Sequence, residues 1–159
     1  MMQIKEIEKS DYPILEDFIY LAIFVPLGAH PPQRDVIFSP DVFIYIDKFG
    51  NENDCGVLAE MDGKAVGAAW TRIIPAYGHI DDETPELAIS VLPHYRGKGV
   101  GAALMERLFE LLSERGYKQT SLAVQKASPA VRFYTRLGYE IISEKPEEYL
   151  MVKKLAASK

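Results

Sequence analysis

The sequence predicts an α/β fold in which helices pack on a mixed β-sheet. Short apolar runs typical of strands alternate along the chain with stretches of helical spacing. The clearest helix, residues 100–115, lies between two predicted strands, and such a strand–helix–strand crossover places its strands parallel in one sheet. The chain has 159 residues without an internal repeat or a low-complexity tract, so we expect one domain over residues 1–159.

The first half of the chain is predicted to form a strand, two helices and a β-hairpin. Residues 10–13 supply an N-cap and a first-turn proline for one helix. A Ser-Pro-Asp sequence at 39–41 begins a second helix, which Gly50 stops. An Asp-Gly pair at 62–63 between two apolar runs is a strong hairpin signal. The predicted elements are a strand at 3–7, helices at 14–25 and 42–49, and hairpin strands at 56–61 and 65–73.

The second half contains the strongest helix signal. Over residues 100–115, apolar side chains recur at helical spacing on one side and charged side chains occupy the other, and Gly116 supplies a C-cap. A shorter helix at 129–137 begins at a Ser-Pro pair and ends at Gly138. Strands are predicted at 86–92, 120–124, 139–144 and 149–154. The apolar stripe of the long helix consists of Val100, Leu104, Leu108, Leu111 and Leu112.

Charge, cysteine content and hydropathy give expectations about partners and cellular location. The net charge is −5, so the overall cationic surface of a nucleic-acid-binding protein is absent. The single cysteine, Cys55, cannot form an intrachain disulfide, as is usual in the reducing cytoplasm. No apolar signal core begins the chain and no apolar run reaches the roughly 18 residues that cross a bilayer. We therefore expect a cytoplasmic protein with no membrane partner.

Two further expectations concern metals and the C-terminus. No His/Cys cluster has metal-ligand spacing, so no metal site is expected. The lysines at the end of the chain, Lys153, Lys154 and Lys159, are predicted to form a solvated tail.

The glycine-rich turn at residues 96–101 carries most of the functional information. It follows a predicted strand and opens the long helix, whose first N–H groups have no partner in the chain and whose dipole adds positive potential. Glycines let a phosphate approach the backbone closely, and two basic side chains add charge at the same turn. We therefore predict a binding site for a di- or polyphosphate. The turn consists of Arg96, Gly97, Lys98, Gly99, Val100 and Gly101.

Three other interpretations fit this turn less well. A Walker A loop needs Ser or Thr after its Gly-Lys pair, whereas Gly99 follows Lys98 here. A Rossmann fingerprint needs Gly-x-Gly-x-x-Gly near the chain start, with an acidic residue about 20 residues further on. This turn has Gly-x-Gly-x-Gly deep in the chain. A purely structural turn would explain the glycines, but not the two basic side chains beside an amphipathic helix.

Two motifs together resemble the acetyl-CoA signatures of the GNAT superfamily of N-acetyltransferases. The first is Arg-x-x-Gly-x-Gly at 96–101 after Ser-Val-Leu-Pro. The second combines Leu-Ala-Val at 122–124, Ser-Pro-Ala-Val-Arg-Phe-Tyr at 128–134 and Leu-Gly-Tyr at 137–139. The resemblance covers residues 86–139 and implies one acyl-CoA N-acyltransferase domain with acetyl-CoA as cosubstrate. It also implies a mixed, mostly antiparallel twisted sheet of about six to seven strands flanked by about four helices.

The resemblance assigns roles to matching residues. The backbone of Ile89, Ser90 and Val91 would bond the pantetheine arm at a bulge, where this strand splays from the next, and one N–H would polarise the thioester carbonyl. Residues 96–101, here called the cradle, would hold the pyrophosphate. Tyr134 matches the general acid that protonates the leaving thiolate. Ser128 stands where the family often has Asn, and is assigned both a helix cap and a cofactor contact.

The resemblance also implies a general base on the strand before the cradle. An ammonium cannot attack a carbonyl, so the acceptor amine must lose a proton, and Glu86 occupies the position of a carboxylate that takes it through water. Strand alternation puts Glu86, Ala88 and Ser90 on one face. The acidic residues at 81–83 could replace this base or bind a cationic acceptor. Candidates for the acceptor pocket are His30, Arg34, Tyr45, Tyr77 and His79.

Three functions are open on this basis. We favour an N-acetyltransferase in which a primary amine of a small molecule or peptide attacks acetyl-CoA directly. A non-catalytic acyl-CoA sensor is less favoured, because it needs neither Tyr134 nor Glu86. A binder of nucleotides or phosphate esters without transfer activity is the third. Dimers are frequent in the GNAT family, so the resemblance also allows a homodimer.

Overall fold

A seven-stranded sheet with helices on both faces organises the protein. The computed structural model describes residues 1–156, and Lys159 of the predicted tail lies outside them. The strands are β1 (Gln3–Glu6), β2 (Cys55–Met61), β3 (Lys64–Arg72), β4 (Glu86–Val91), β5 (Gln119–Gln125), β6 (Glu140–Glu144) and β7 (Glu148–Lys154). The α-helices are α1 (Leu15–Ala22), α2 (Pro40–Phe43), α3 (Val100–Glu114) and α4 (Ala130–Arg136), with short 3-10 helices at Lys9–Ile14, Arg34–Phe38 and Pro93–Tyr95.

The sheet is mixed and mostly antiparallel, as predicted. Its strand order is β1-β2-β3-β4-β5-β7-β6, and all neighbours are antiparallel except β4 and β5, which the crossover through α3 makes parallel. The predicted hairpin joins β2 to β3. Its turn residues Asp62 and Gly63 have φ of 53° and 75°, the left-handed pair that a tight right-twisted hairpin requires.

The helices bury their apolar sides on opposite faces of the sheet. On one face the stripe of α3 is fully buried, with Leu104 and Leu108 at 0 % exposure. On the other face α1 and the residues around α2 pack over a second cluster that contains Trp70. Alternate residues of β4 face the two layers, since Leu87 belongs to the α3 cluster and Ala88 to the α1 cluster. β4 is therefore held firmly from both sides.

The second predicted helix is shorter than its sequence pattern indicates. α2 ends at Phe43, and residues 44–48 form turns instead of continuing the predicted helix to 49. In a helix the carbonyl oxygens of Ile44 and Tyr45 would accept i+4 hydrogen bonds. Here they accept from side chains of β3, Arg72 Nη1 and Trp70 Nε1, each at 2.9 Å. Tertiary hydrogen bonds override the helical spacing at this point.

The first predicted helix also differs at its ends. The segment with Pro13 forms a 3-10 helix ahead of α1, and α1 ends at Ala22, short of residue 25, because Ile23 is extended (ψ 124°). Lys153 and Lys154 belong to β7, not to a solvated tail. The other predicted elements agree with the structure to within one residue at each end. Within residues 1–156, no helix is both long and apolar enough to cross a membrane.

A buried ion pair fastens the segment after α2 to β3. Arg72 Nε lies 3.0 Å from Asp54 Oδ1, and the two side chains are 5 % and 4 % exposed. Removing one partner of such a pair leaves the other charge buried without compensation, which costs about 3–5 kcal/mol. We expect Asp54→Asn to lower the free energy of unfolding by an amount in this range, measured by urea denaturation.

An exposed ion pair on α3 provides the control. Arg107 Nη1 lies 3.1 Å from Glu110 Oε2, and these side chains are 38 % and 54 % exposed. Glu110→Gln should change the free energy of unfolding by less than about 0.5 kcal/mol. An equally small change for Asp54→Asn would contradict the structural role given to the buried pair.

Candidate active site

The cradle is open and positively charged. Gly97 and Gly99 have φ of 75° and 83°, in the left-handed region that favours glycine, and a Cβ on either would meet no atom within 4 Å. Gly99 is the N-cap of α3, a helix of 15 residues, so the unpaired N–H groups of its first turn lie at the cradle. Arg96 and Lys98 are exposed there. Together these groups fit a phosphate.

The other features of the cradle attach it to the sheet and to α4. Arg96 Nε donates to the carbonyl oxygen of Val91 at the end of β4 (3.0 Å), which keeps the guanidinium near that strand. The Val100 side chain is 1 % exposed in the core, so only its backbone is open to a ligand. A Cβ on Gly101 would lie 3.2 Å from Phe133 Cζ. This glycine therefore allows α3 to pack closely on α4.

β4 and β5 separate soon after they begin to pair. Their ladder is limited to Glu86 and Ser121, so a gap opens beyond these residues. The N–H of Leu92 bonds β3 (2.8 Å), and hydrogen-bond directions alternate along an antiparallel strand. The backbone groups of Ile89 and Val91 therefore point into the gap. The predicted splay is present, whereas the β3–β4 register shows no bulge along β4.

Ser90 is placed differently from Ile89 and Val91. By the same alternation its backbone faces β3, where it pairs with Ala68. Its hydroxyl donates to the carbonyl oxygen of Phe18 in α1 (2.6 Å), and the residue is 8 % exposed. Its polar groups are used inside the fold, so the structure gives no support to Ser90 as a cofactor contact.

Tyr134 lies on α4 among aromatic side chains. Its ring centroid is 5.5 Å from that of Phe133 and 5.7 Å from that of Tyr139. Burial raises the pKa of Tyr134 to about 12, because the surroundings disfavour the charged phenolate. The phenol therefore keeps its proton at neutral pH, as a general acid must.

Ser128 caps α4. Its hydroxyl oxygen accepts a hydrogen bond from the N–H of Ala130 (3.1 Å), and its carbonyl oxygen accepts one from the N–H of Val131 (3.3 Å). The predicted helix start is confirmed, while the contact of Ser128 with the cofactor stays a prediction.

Glu86, at the start of β4, has a buried carboxylate with one hydrogen-bonded and one unpartnered oxygen. The residue is 2 % exposed. Oε2 accepts hydrogen bonds from the Tyr45 hydroxyl and from the N–H of Gly78 (2.8 Å), whereas Oε1 is buried and has no partner among the described residues. Burial raises the pKa of Glu86, and the two hydrogen bonds oppose that rise. Oε1 is therefore free to take a proton.

The loop before β4 reaches this carboxylate because Gly78 has no side chain. A Cβ on Gly78 would lie 2.9 Å from Glu86 Oε2 and 3.0 Å from the backbone nitrogen of Ala123. The Ser121 hydroxyl holds the loop by donating to the carbonyl oxygen of Gly78 (2.6 Å). Sequence reasoning missed Gly78 and Ser121, since their roles depend on contacts between distant segments.

Two of the acceptor candidates border Glu86. Tyr45 bonds it directly, and Tyr77, beside Gly78, donates its hydroxyl to Asp41 (2.5 Å). Tyr77 also lines an open surface groove. Its other lining residues are Lys145, Pro146, Glu147 and Glu148.

The remaining acceptor candidates have other partners or are exposed. Arg34 forms an ion pair with Asp17. The Nδ1 atom of His79 lies 3.0 Å from the carbonyl oxygen of Ile74. His30 and the acidic residues at 81–83 are exposed. In the described part of the chain, no group of three or more His, Cys, Asp or Glu side chains is arranged to hold a metal ion.

Comparison with known proteins establishes the family. The sequence profile of the GNAT acetyltransferase family matches residues 3–139. The chain belongs to this family. Acetyl-CoA is the cosubstrate of GNAT enzymes, so this GNAT protein is an acetyl-CoA-dependent N-acyltransferase. The resemblance drawn from the two motifs is confirmed, and the Walker A and Rossmann interpretations are excluded.

Relatives of this GNAT protein include enzymes and solved structures. An uncharacterized N-acetyltransferase of Archaeoglobus fulgidus is 32% identical over 141 residues, which are 81% of this chain and 88% of the relative. The N-acetylaspartate synthetase of Danio rerio is 32% identical over 143 residues, 83% of this chain but only 49% of the relative. The PaiA N-acetyltransferase of Thermoplasma acidophilum was solved with coenzyme A. It superposes with a TM-score of 0.70 at 17% sequence identity, and the alignment covers 97% of this chain and 99% of the PaiA chain. This structural neighbour confirms the GNAT fold.

Proposed function

We propose that this GNAT enzyme transfers the acetyl group of acetyl-CoA to a primary amine of a small molecule or peptide. The amine attacks the thioester directly while both substrates are bound. Residues 1–159 act as one acyl-CoA N-acyltransferase domain. A cytoplasmic location and a homodimer stay predictions.

The presence of an unpartnered carboxylate oxygen at the start of β4 and of a protonated phenol on α4 carries this proposal. Glu86 shares the face of β4 that packs under α1, together with Ala88. Tyr134 packs with the cluster on the α3 face. A thioester in the gap would have a base on one side and an acid on the other. A sensor that only binds acyl-CoA needs neither group, so the arrangement favours catalysis.

Glu86 is the proposed general base. As the amine nitrogen forms its bond to the carbonyl carbon, Oε1 takes the proton that the nitrogen loses, directly or through water. Burial raises the pKa of Glu86 and so makes its carboxylate a stronger base. The hydrogen bonds on Oε2 fix the orientation of the carboxylate, while Oε1 has no partner among the described residues.

Tyr134 is the proposed general acid. When the C–S bond breaks, the sulfur keeps the electron pair and the phenol gives it a proton, so that a thiol leaves. A thiol in water has a pKa near 8.5, below the value of about 12 for Tyr134. The same burial destabilises a thiolate that forms beside the phenol, and this narrows the difference in pKa.

The cradle and the backbone of β4 are proposed to hold acetyl-CoA. Bound acetyl-CoA supplies the reactive thioester. The first turn of α3, with Gly97 and Gly99, would bond the pyrophosphate, and Arg96 and Lys98 would balance its charge. The backbone groups of Ile89 and the N–H of Val91 would bond the pantetheine arm, and one N–H would polarise the thioester carbonyl.

Gly99→Glu should weaken the binding of acetyl-CoA by at least about tenfold, measured by titration calorimetry. The new side chain puts bulk and negative charge where the pyrophosphate is proposed to lie, and like charges repel there. Gly116→Glu is a matched control, because Gly116 also has a left-handed φ (86°) and open space around a Cβ, at the opposite end of α3. A folded Gly99→Glu protein with normal affinity for acetyl-CoA would refute the cradle.

An acceptor screen tests the function itself. The enzyme is incubated with acetyl-CoA and with panels of polyamines, amino acids, aminoglycosides and peptides with free N-termini, and N-acetylated products are identified by mass spectrometry. We expect a product from at least one panel that disappears without enzyme or without acetyl-CoA. Transfer to alcohols or thiols, with none to amines, would overturn the proposal.

A further inference from the structure

Tyr45 is linked to the proposed base by its side chain. Its hydroxyl donates to Glu86 Oε2 across 41 positions of sequence. The N–H of Gly78 donates to the same oxygen (2.8 Å), so both donors act on Oε2 and neither acts on Oε1. Oε1 is left buried without a partner among the described residues. The two oxygens of this carboxylate are therefore distinguished by the protein.

The backbone of Tyr45 is held as firmly as its hydroxyl. Trp70 Nε1 donates to the carbonyl oxygen of Tyr45, and Arg72 Nη1 to that of Ile44, each at 2.9 Å. Trp70 and Arg72 lie on β3 and are 0 % and 4 % exposed. Arg72 is fixed in turn by its ion pair with Asp54. The connection that ends α2 early thus carries a tyrosine whose position is set by the sheet.

The Tyr45 hydroxyl stabilises the ionised form of Glu86. Burial, followed by the charge of Glu86, raises the pKa of Tyr45, so its hydroxyl keeps a proton to donate. That hydrogen bond and the one from Gly78 favour the ionised form of Glu86, as does the charge of His79, whereas burial and the charge of Glu148 favour the protonated form. The Tyr45 hydroxyl therefore opposes the effect of burial on the pKa of Glu86.

We propose that Tyr45 is a positioning residue for catalysis, which anchors Oε2 of Glu86 so that Oε1 alone faces the acceptor, and which is itself positioned by Trp70 and Arg72. The inference rests on the proposed role of Glu86 as base. A carboxylate free to rotate would present either oxygen, and would lose the preorganisation that efficient proton transfer needs. Without the hydroxyl, burial would also keep Glu86 protonated to higher pH.

A carboxyl titration tests the link without any acceptor. In protein labelled with ¹³C at the glutamate carboxyls, the signal of Glu86 is identified by its loss in Glu86→Gln and is followed against pH by NMR. In Tyr45→Phe the midpoint should move up by roughly one pH unit, because a hydrogen bond to a charged group is removed. Tyr117→Phe, which removes a hydroxyl bonded to Asn53 (2.9 Å), should leave the midpoint unchanged.

Activity measurements on Tyr45→Phe and Glu86→Gln test the role of Tyr45 separately from the role of Glu86 as base. With an amine found in the screen, Tyr45→Phe should move the acid limb of kcat/KM up in pH and leave the KM for acetyl-CoA unchanged. An unshifted Glu86 titration in folded Tyr45→Phe would overturn the inference even if Glu86 is the base. Full activity of Glu86→Gln would instead overturn the base, and with it any catalytic role of Tyr45, even if the titration shifts.

Gly78→Ala provides a second test if Tyr45→Phe does not fold. Gly78→Ala disturbs the other donor to Oε2, because its Cβ would lie 2.9 Å from that oxygen. It should also raise the midpoint of the Glu86 titration. An unchanged midpoint in folded Gly78→Ala would show that donors on Oε2 do not control the carboxylate, and would overturn the inference.

Discussion

Glu86→Gln is expected to lower kcat/KM for acetyl transfer by about 10²–10⁴, the usual contribution of a positioned general base. Glutamine keeps an oxygen that can accept the hydrogen bonds made to Oε2, but its amide cannot take a proton from the amine at Oε1. The loss should fall on kcat, with the KM for acetyl-CoA unchanged. Initial rates of CoA release at saturating acetyl-CoA measure it.

The pH profile provides an independent check on Glu86. The base must be ionised to act, so kcat/KM should fall as the pH drops through its pKa, which burial raises above the ordinary 4.5. Glu144→Gln is a suitable control, since Glu144 lies on the exposed strand β6 and bonds Lys126 (3.0 Å). Its profile should match that of the unaltered enzyme. If Glu86→Gln retained the acid limb and full activity, the base would lie elsewhere.

Tyr134→Phe should lower kcat by about 10²–10⁴ while acetyl-CoA binds with normal affinity. The substitution removes only the phenolic hydroxyl group, and the aromatic packing on Phe133 and Tyr139 is kept. Turnover is measured by CoA release and affinity by calorimetry, so that loss of the acid is separated from loss of binding.

Tyr149→Phe is the control for Tyr134. Tyr149 is also half-buried against the α3 cluster, and its ring packs under Lys126 (5.2 Å), so removing its hydroxyl should leave turnover unchanged. Unchanged turnover of Tyr134→Phe across several pH values would show that another group protonates the thiolate.

Local sequence patterns predicted the parts of this protein that depend on local physics. The amphipathic α3, the glycine-rich turn that opens it and the hairpin turn follow from spacing and backbone preference, and they lie where expected. α2 was predicted too long, because the side chains of Trp70 and Arg72 take the carbonyl oxygens that helical residues would use. Hydrogen bonds between distant segments leave no periodic trace in the sequence.

In the candidate site, too, motif positions were predictable from the sequence, whereas contacts between distant segments were not. Tyr134 and Glu86 were predicted from motif position, and the structure gives them surroundings that fit an acid and a base. The donors to Glu86 were not predicted as such, since Tyr45 and Gly78 lie 41 and 8 positions from it and meet it only through the fold. The backbone of Ser90 was assigned to the cofactor from its strand, but strand alternation turns that backbone toward β3, where Ser90 pairs with Ala68.

Direct attack of the amine on acetyl-CoA within a ternary complex predicts a characteristic pattern in two-substrate initial-rate kinetics. The rate of CoA release is measured while acetyl-CoA and an accepted amine are varied together. The only cysteine, Cys55, is buried with a raised thiol pKa, and so is poorly suited to form an acetyl-enzyme. We predict double-reciprocal lines that intersect. Parallel lines, with an acetylated enzyme detected when the amine is omitted, would contradict direct transfer.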